Sequence, residues 1–284
     1  MHELKSLFTQ HWLYLAVRAG CKLGVFDCIG TGTITFLDLQ TKLNCDQKAL
    51  EELVSALSHH GFLKTNAGQL SLTELSEPLC EEHSNSLKYA CLLWGGEHMD
   101  AWQKLDTTIK TGYPVFQSLF GSDFFDYLDK NEPESIEYHK AMYEYARDDY
   151  SGIENLVDLS GSDTCADIGG ANGALVQQLS RRYAEVEFFI FDRQDRRSSG
   201  AQEFTFILGD FFNEIPPLAD TYVLSRVLHD WDNEKAMQIL THCFNSLPSK
   251  GRLFIIENDL SKFGDGAHLL SLNMMAVCER FERT

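Results

Sequence analysis

Apolar and polar positions follow two different rhythms along this chain, and the change falls near residue 155. Before it, LFTQHWLYLAVRAGCKLGVFDCI, FLDLQTKLN and DQKALEELVSALSHHGFL read as helices; in the third, Leu50, Leu53, Val54 and Leu57 recur at the spacing of one helical face. GFLKTNAGQLSLT then reads as a hairpin turning at Asn66-Ala67-Gly68. Three helices and a hairpin predict a winged-helix-like domain over residues 1–100. Residues 101–155 stay helical and rich in aromatics. After Ser160-Gly161-Ser162 the runs TCADIGG, VEFFIFD, FTFILGD, TYVLSRVL and RLFIIEN alternate with helical stretches. Near-continuous apolar strands between helices predict an α/β domain over 156–284: a Rossmann-like, doubly wound parallel sheet.

Composition narrows the possibilities. At 284 residues and 44% hydrophobic the chain can bury a large core, and it contains no run of about 18 apolar residues that would span a membrane. The start, MHELKSLFTQHW, lacks the unbroken apolar centre of a secretion signal, and the eight cysteines form no C-x-x-C pair. Reduced thiols and a cytoplasmic location are expected, with no metal site. Net charge is −18, which repels phosphate backbones and anionic membranes. The winged-helix pattern raises DNA binding, but Asp46, Glu51 and Glu52 outnumber Lys48 on the helix that would read DNA. Neither nucleic acid nor membrane is an expected partner.

Candidate chemistry gathers at the strand ends, where open α/β sheets bind ligands. The first strand runs into Asp167-Ile168-Gly169-Gly170-Ala171-Asn172-Gly173. A dinucleotide fingerprint would need glycine at 167; the carboxylate there suits a ligand with a cationic end. Asp192 ends the second strand, 19 residues after Gly173 (192 − 173), where an acid can accept both hydroxyls of a ribose. The third ends in Gly209-Asp210-Phe211-Phe212, a carboxylate for an exocyclic amine and an aromatic wall. Each acid alone could cap a helix, but together they describe a nucleoside with an amino-acid tail, S-adenosylmethionine. The fourth strand runs straight into His229-Asp230-Trp231, with Asp230 or Asp232 available to cap the next helix.

The motifs DIGGANG, GDFF, VLHDWDNE and GRLFIIE, in that order, resemble the small-molecule O-methyltransferases that include plant caffeate-type, acetylserotonin and bacterial polyketide and phenazine enzymes. LLSLNMMAVCERFERT resembles the family segment ending in G-G-[RK]-E-R-T. The resemblance implies His229 as general base, flanked by Glu257 (229 + 28) and Glu282. It implies S-adenosylmethionine as cofactor, held by Gly169, Gly173, Asp192, Asp210 and Phe211; the strand-end reading adds Asp167, and Ser225 takes the position of a family residue that touches the cofactor. A small hydroxylated aromatic acceptor would be lined by Trp94, Tyr138, Met142, Tyr145 and Asp230. The first 100 residues would form a homodimer, consistent with the apolar stretch Trp12-Leu13-Tyr14-Leu15-Ala16-Val17.

The chain departs from the family pattern at three points. Ser225 stands where members often carry a lysine touching the cofactor, and the segment after Asp192 leaves little room for the usual helix. This sequence stops at Thr284, so the last domain is expected either to lack the family's closing strand pair or to be completed differently. Other readings compete with methyl transfer: a relative that keeps the cofactor but decarboxylates, hydroxylates or runs a pericyclic step; a NAD-dependent oxidoreductase, opposed by the glycine spacing; and a winged-helix regulator, opposed by the acidic helix.

Overall fold

The computed structural model describes residues 2–195, 204–257 and 266–278. They fall into two units, residues 1–100 with 136–145, and residues 101–135 with 146–284.

In the first unit, helices Gln10–Leu23, Val25–Ile29, Phe36–Leu43 and Gln47–His59 precede a hairpin. The long N-terminal helix expected from the sequence is broken, because Gly24 adopts φ 79 and its N–H closes on the carbonyls of Gly20 and Cys21. Only glycine takes that conformation without a Cβ penalty. Side-chain caps start the later helices: Thr35 Oγ1 accepts from Asp38 N at 3.1 Å and Asp46 Oδ1 from Ala49 N at 2.9 Å. Strand β2 (Leu63–Asn66) pairs antiparallel with β3 (Gln69–Leu72) through Ala67 and Gly68, both at positive φ, as a two-residue hairpin turn requires. The short β1 (Ile34–Thr35) adds to the other edge of β3. Val17, Phe26, Leu39, Leu50, Leu57, Leu63 and Leu70 form the core. The winged-helix-like expectation holds.

Among the described residues the second unit has five parallel strands, β4 (Thr164–Ile168), β5 (Glu187–Asp192), β6 (Thr205–Leu208), β7 (Thr221–Ser225) and β8 (Arg252–Ile256). Their order is β6-β5-β4-β7-β8. The chain steps outward on one side of β4 and then returns to its other side, so the order reverses between β4 and β7. That switch point is where such sheets open a ligand crevice. Strand periodicity splits the core into two layers: Phe191, Tyr222 and Leu224 face one way with Ile239 and Cys243, while Phe188, Ile190 and Val223 face the other with Leu175 and Leu179. Both faces are covered, as the unbroken apolar strands predicted.

All eight cysteines are free thiols. Among the described residues, no helix is long and apolar enough to cross a membrane.

Candidate active site

The crevice is built from the turn after β4. Gly169 and Gly173 both sit at φ 79, and each is demanded by close packing: a Cβ on Gly169 would lie 2.8 Å from Val227 Cγ2, and one on Gly173 2.6 Å from Ile190 Cδ1. Gly170 admits an acid, since its Cβ would lie 2.7 Å from Asp167 Oδ2. Asp167 is only 3% exposed and makes no hydrogen bond or ion pair among the described residues. Burial, reinforced by the nearby charge of Asp192, pushes its carboxyl up to about 7.

Asp192 ends β5 opposite this turn. Its Oδ2 accepts the Ala171 N–H at 2.9 Å and its Oδ1 accepts the Arg193 N–H at 2.6 Å. A carboxylate has about four lone-pair sites, the kind of acceptor that ribose hydroxyls need. The turn is thus pinned to the acid that the sequence assigns to a ribose. Asp210 is also engaged locally: Oδ1 takes the Phe212 N–H at 2.9 Å and Oδ2 lies 3.4 Å from the Asn213 amide. Phe211 is buried against Gly169 and meets the edge of Trp231, which packs in turn on Phe212 and Phe125. These aromatics form a continuous apolar wall beside the glycine turn.

The fourth strand ends differently. Arg226 takes φ 56, which a non-glycine residue adopts only under strain, and its N–H is held by Ile256 O at 2.9 Å. This bend turns the chain into a short 3₁₀ turn, Leu228–Asp230, that buries His229 to 7% exposure. Asp232, not Asp230, caps the following helix, accepting from Lys235 N at 2.8 Å. The cap therefore accounts for Asp232 and not for His229-Asp230.

Two carboxylates flank His229. Glu257, just past β8, accepts the backbone N–H groups of Leu228 at 2.9 Å and His229 at 3.3 Å through Oε1. Its Oε2 lies 3.7 Å from His229 Nδ1, an electrostatic neighbour beyond hydrogen-bond distance. Asp230 Oδ1 lies 3.4 Å from Nε2. Glu282 lies outside the described residues, as do residues 196–203 of the short segment after Asp192.

Ser225 is buried, with its hydroxyl 2.8 Å from that of Tyr150. The sequence reading missed Tyr150 and Arg226. Tyr150 lies 75 residues from its partner with no motif around it, whereas Arg226 stands inside the strand-end motif. The expected acceptor-lining residues Trp94, Tyr138, Met142 and Tyr145 belong to the first unit. Within it, Trp94 Nε1 donates to the Tyr145 hydroxyl at 2.5 Å and the Trp94 ring packs edge-on against buried His98. Burial pushes His98 down to about 4, keeping it neutral. Tyr138 and Met142 are half-buried on the same helix as Tyr145.

Residues 102–284 match the model of an O-methyltransferase domain and residues 6–82 that of an O-methyltransferase dimerisation domain. The phenazine O-methyltransferase PhzM of Lysobacter antibioticus is 26% identical over 296 residues, spanning 99% of this chain and 86% of that one. The 3-amino-4-hydroxybenzoate 4-O-methyltransferase of Streptomyces cremeus is 28% identical over 289 residues, spanning 97% and 79%. The crystal structure of human N-acetylserotonin methyltransferase in complex with SAM superposes with a TM-score of 0.89 at 25% identity, over 100% of this chain and 88% of that one.

Proposed function

The chain belongs to the O-methyltransferase family, and from that premise we propose that it transfers a methyl group from S-adenosylmethionine to a hydroxyl, phenolic in character, of a small aromatic molecule. One observation carries the reading: His229 is buried between Glu257 and Asp230 at the carboxyl end of β7, beside the switch point.

The chemistry of the donor set suits the cofactor. Asp192 offers carboxylate oxygens for ribose hydroxyls, Asp167 an acid for a cationic end, and Phe211 an apolar face. Gly169, Gly173, Asp210 and Ser225 complete the assigned set. Bound there, S-adenosylmethionine supplies an electrophilic methyl for in-line displacement by an oxygen. The protein's tasks are to hold the acceptor on that line and to remove its proton. A phenol of pKa about 10 is a weak nucleophile at neutral pH, and an imidazole of pKa about 6.5 is a usable base. With Glu257 beside Nδ1, Nε2 of His229 takes the hydroxyl proton. Both flanking carboxylates then stabilise the imidazolium. Glu282 is assigned the same supporting role.

Trp94, Tyr138, Met142 and Tyr145, together with Asp230, are assigned to acceptor recognition; flat aromatic surfaces select flat ligands. Relatives acting on a phenazine and on 3-amino-4-hydroxybenzoate support an aromatic acceptor class. Residues 1–100 are assigned to homodimerisation and the enzyme to the cytoplasm. The test is a screen of phenols, hydroxyindoles and hydroxylated polyketide aromatics with labelled methyl donor. Label appearing on an aromatic oxygen supports the reading. Calorimetric binding of NADH or duplex DNA, with none of S-adenosylmethionine, would replace it.

A further inference from the structure

Two hydroxyls carry two O–H protons. The hydroxyls of Tyr150 and Ser225 lie 2.8 Å apart, so one proton is spent between them, and among the described residues neither group makes another hydrogen bond. Ser225 is only 8% exposed. Burial, then the charge of Asp167, pushes the Tyr150 phenol up to about 12, so it keeps its proton at any working pH. The pair thus holds one O–H donor without an acceptor in a largely water-free place, where leaving it unmatched is costly. Asp167, close enough to act on Tyr150, is the mirror case: an acid 3% exposed, with no donor or cation of the described residues bonded to it. Ser225 is the last residue of β7, and Asp167 stands in the neighbouring strand β4, paired with Val223. One unmatched donor and one unmatched acid therefore flank the switch point.

A zwitterionic amino-acid group matches both. We propose that the Tyr150–Ser225 pair receives the carboxylate of the methyl donor's amino-acid tail through its second O–H, which makes Tyr150 a positioning residue for the donor. The ammonium of the same tail goes to Asp167. This rests on the assignment of the crevice to S-adenosylmethionine.

Calorimetry with two ligands tests it: S-adenosylhomocysteine, which has the tail, and 5′-methylthioadenosine, which keeps the nucleoside and sulfur but lacks it. Because either hydroxyl alone retains an O–H, Tyr150→Phe and Ser225→Ala should each weaken S-adenosylhomocysteine partially, and the double variant by about 10- to 100-fold. Methylthioadenosine should stay within about threefold of wild type throughout. The single serine variant, with an unshifted melting profile, guards against a folding defect at Tyr150. Equal losses for both ligands would reduce the pair to a structural role and overturn the proposal, as would a double variant that binds S-adenosylhomocysteine like wild type. A wild-type protein that binds neither nucleoside would sink the cofactor assignment itself, and this inference with it.

Discussion

The carboxylate of Glu257 holds the backbone of His229 with one oxygen and faces its ring with the other: Oε1 takes the His229 N–H at 3.3 Å and Oε2 lies 3.7 Å from Nδ1. The two jobs separate by mutation. Glu257→Gln keeps an oxygen for the N–H groups of Leu228 and His229 but removes the charge beside the ring. It should lower kcat about 10-fold or more with little change in the melting temperature. Glu257→Ala strands both N–H groups and should also destabilise the protein by about 1–3 kcal/mol. A Glu257→Gln enzyme with wild-type kcat would confine the acid to structure.

Asp192 binds the glycine turn through Ala171 and is assigned to the ribose. Asp192→Ala should weaken S-adenosylmethionine about 10- to 100-fold, since hydrogen bonds to a charged acceptor contribute about 1.5–3 kcal/mol. Asp192→Asn, which keeps an acceptor for the Ala171 N–H, separates ligand contact from turn geometry. Affinity unchanged in both variants, measured by titration, would take Asp192 out of the cofactor site.

Asp167 makes the stability of the ligand-free protein pH-dependent. Its folded carboxyl is raised to about 7 by burial, then by Asp192, from an ordinary 3.8. Below about pH 4 it is protonated whether folded or unfolded. Between about pH 4 and 7 the unfolded chain ionises while the fold keeps its proton, so stability falls as pH rises, and the loss is complete above 7. Asp167→Asn lacks this penalty. Denaturation should show the variant gaining on wild type from pH 4 to pH 7, by on the order of 4 kcal/mol, and then levelling off. A difference that stays flat across that range would contradict a buried, proton-holding acid.

The doubly wound sheet could be read from the sequence because both of its faces are buried, so each strand appears as a compact apolar run with its chemistry at the end. Asp167, Asp192 and His229 were legible for the same reason: each follows such a run directly. Interactions between distant segments were not. Tyr150 meets Ser225 across 75 residues, and Glu144, buried in the first unit, accepts the N–H groups of Tyr89 and Ala90 across more than 50; no local pattern encodes either. The strained φ of Arg226 was also invisible, because nothing in its residue type announces the bend that buries His229. Gly24 was misjudged for a different reason: apolar periodicity continues through it, while its backbone breaks the helix.

The N-terminal helices expose Leu4, Leu7, Phe8 and Trp12, the last two 62% and 65% accessible. Side chains of this size in one segment make an apolar patch that a second copy would cover. Light scattering at micromolar concentration should give about twice the 32.2 kDa chain mass. Phe8→Asp with Trp12→Asp should shift the mass toward the monomer. A wild-type monomer would refute the assembly.

Steady-state kinetics of His229→Ala, with an acceptor found by the methyl-transfer screen, bears most directly on the mechanism. Removing the base should lower kcat by roughly 10²- to 10⁴-fold while calorimetry finds S-adenosylmethionine affinity nearly unchanged. A variant that keeps more than about a third of wild-type kcat would show that the buried histidine does not take the proton.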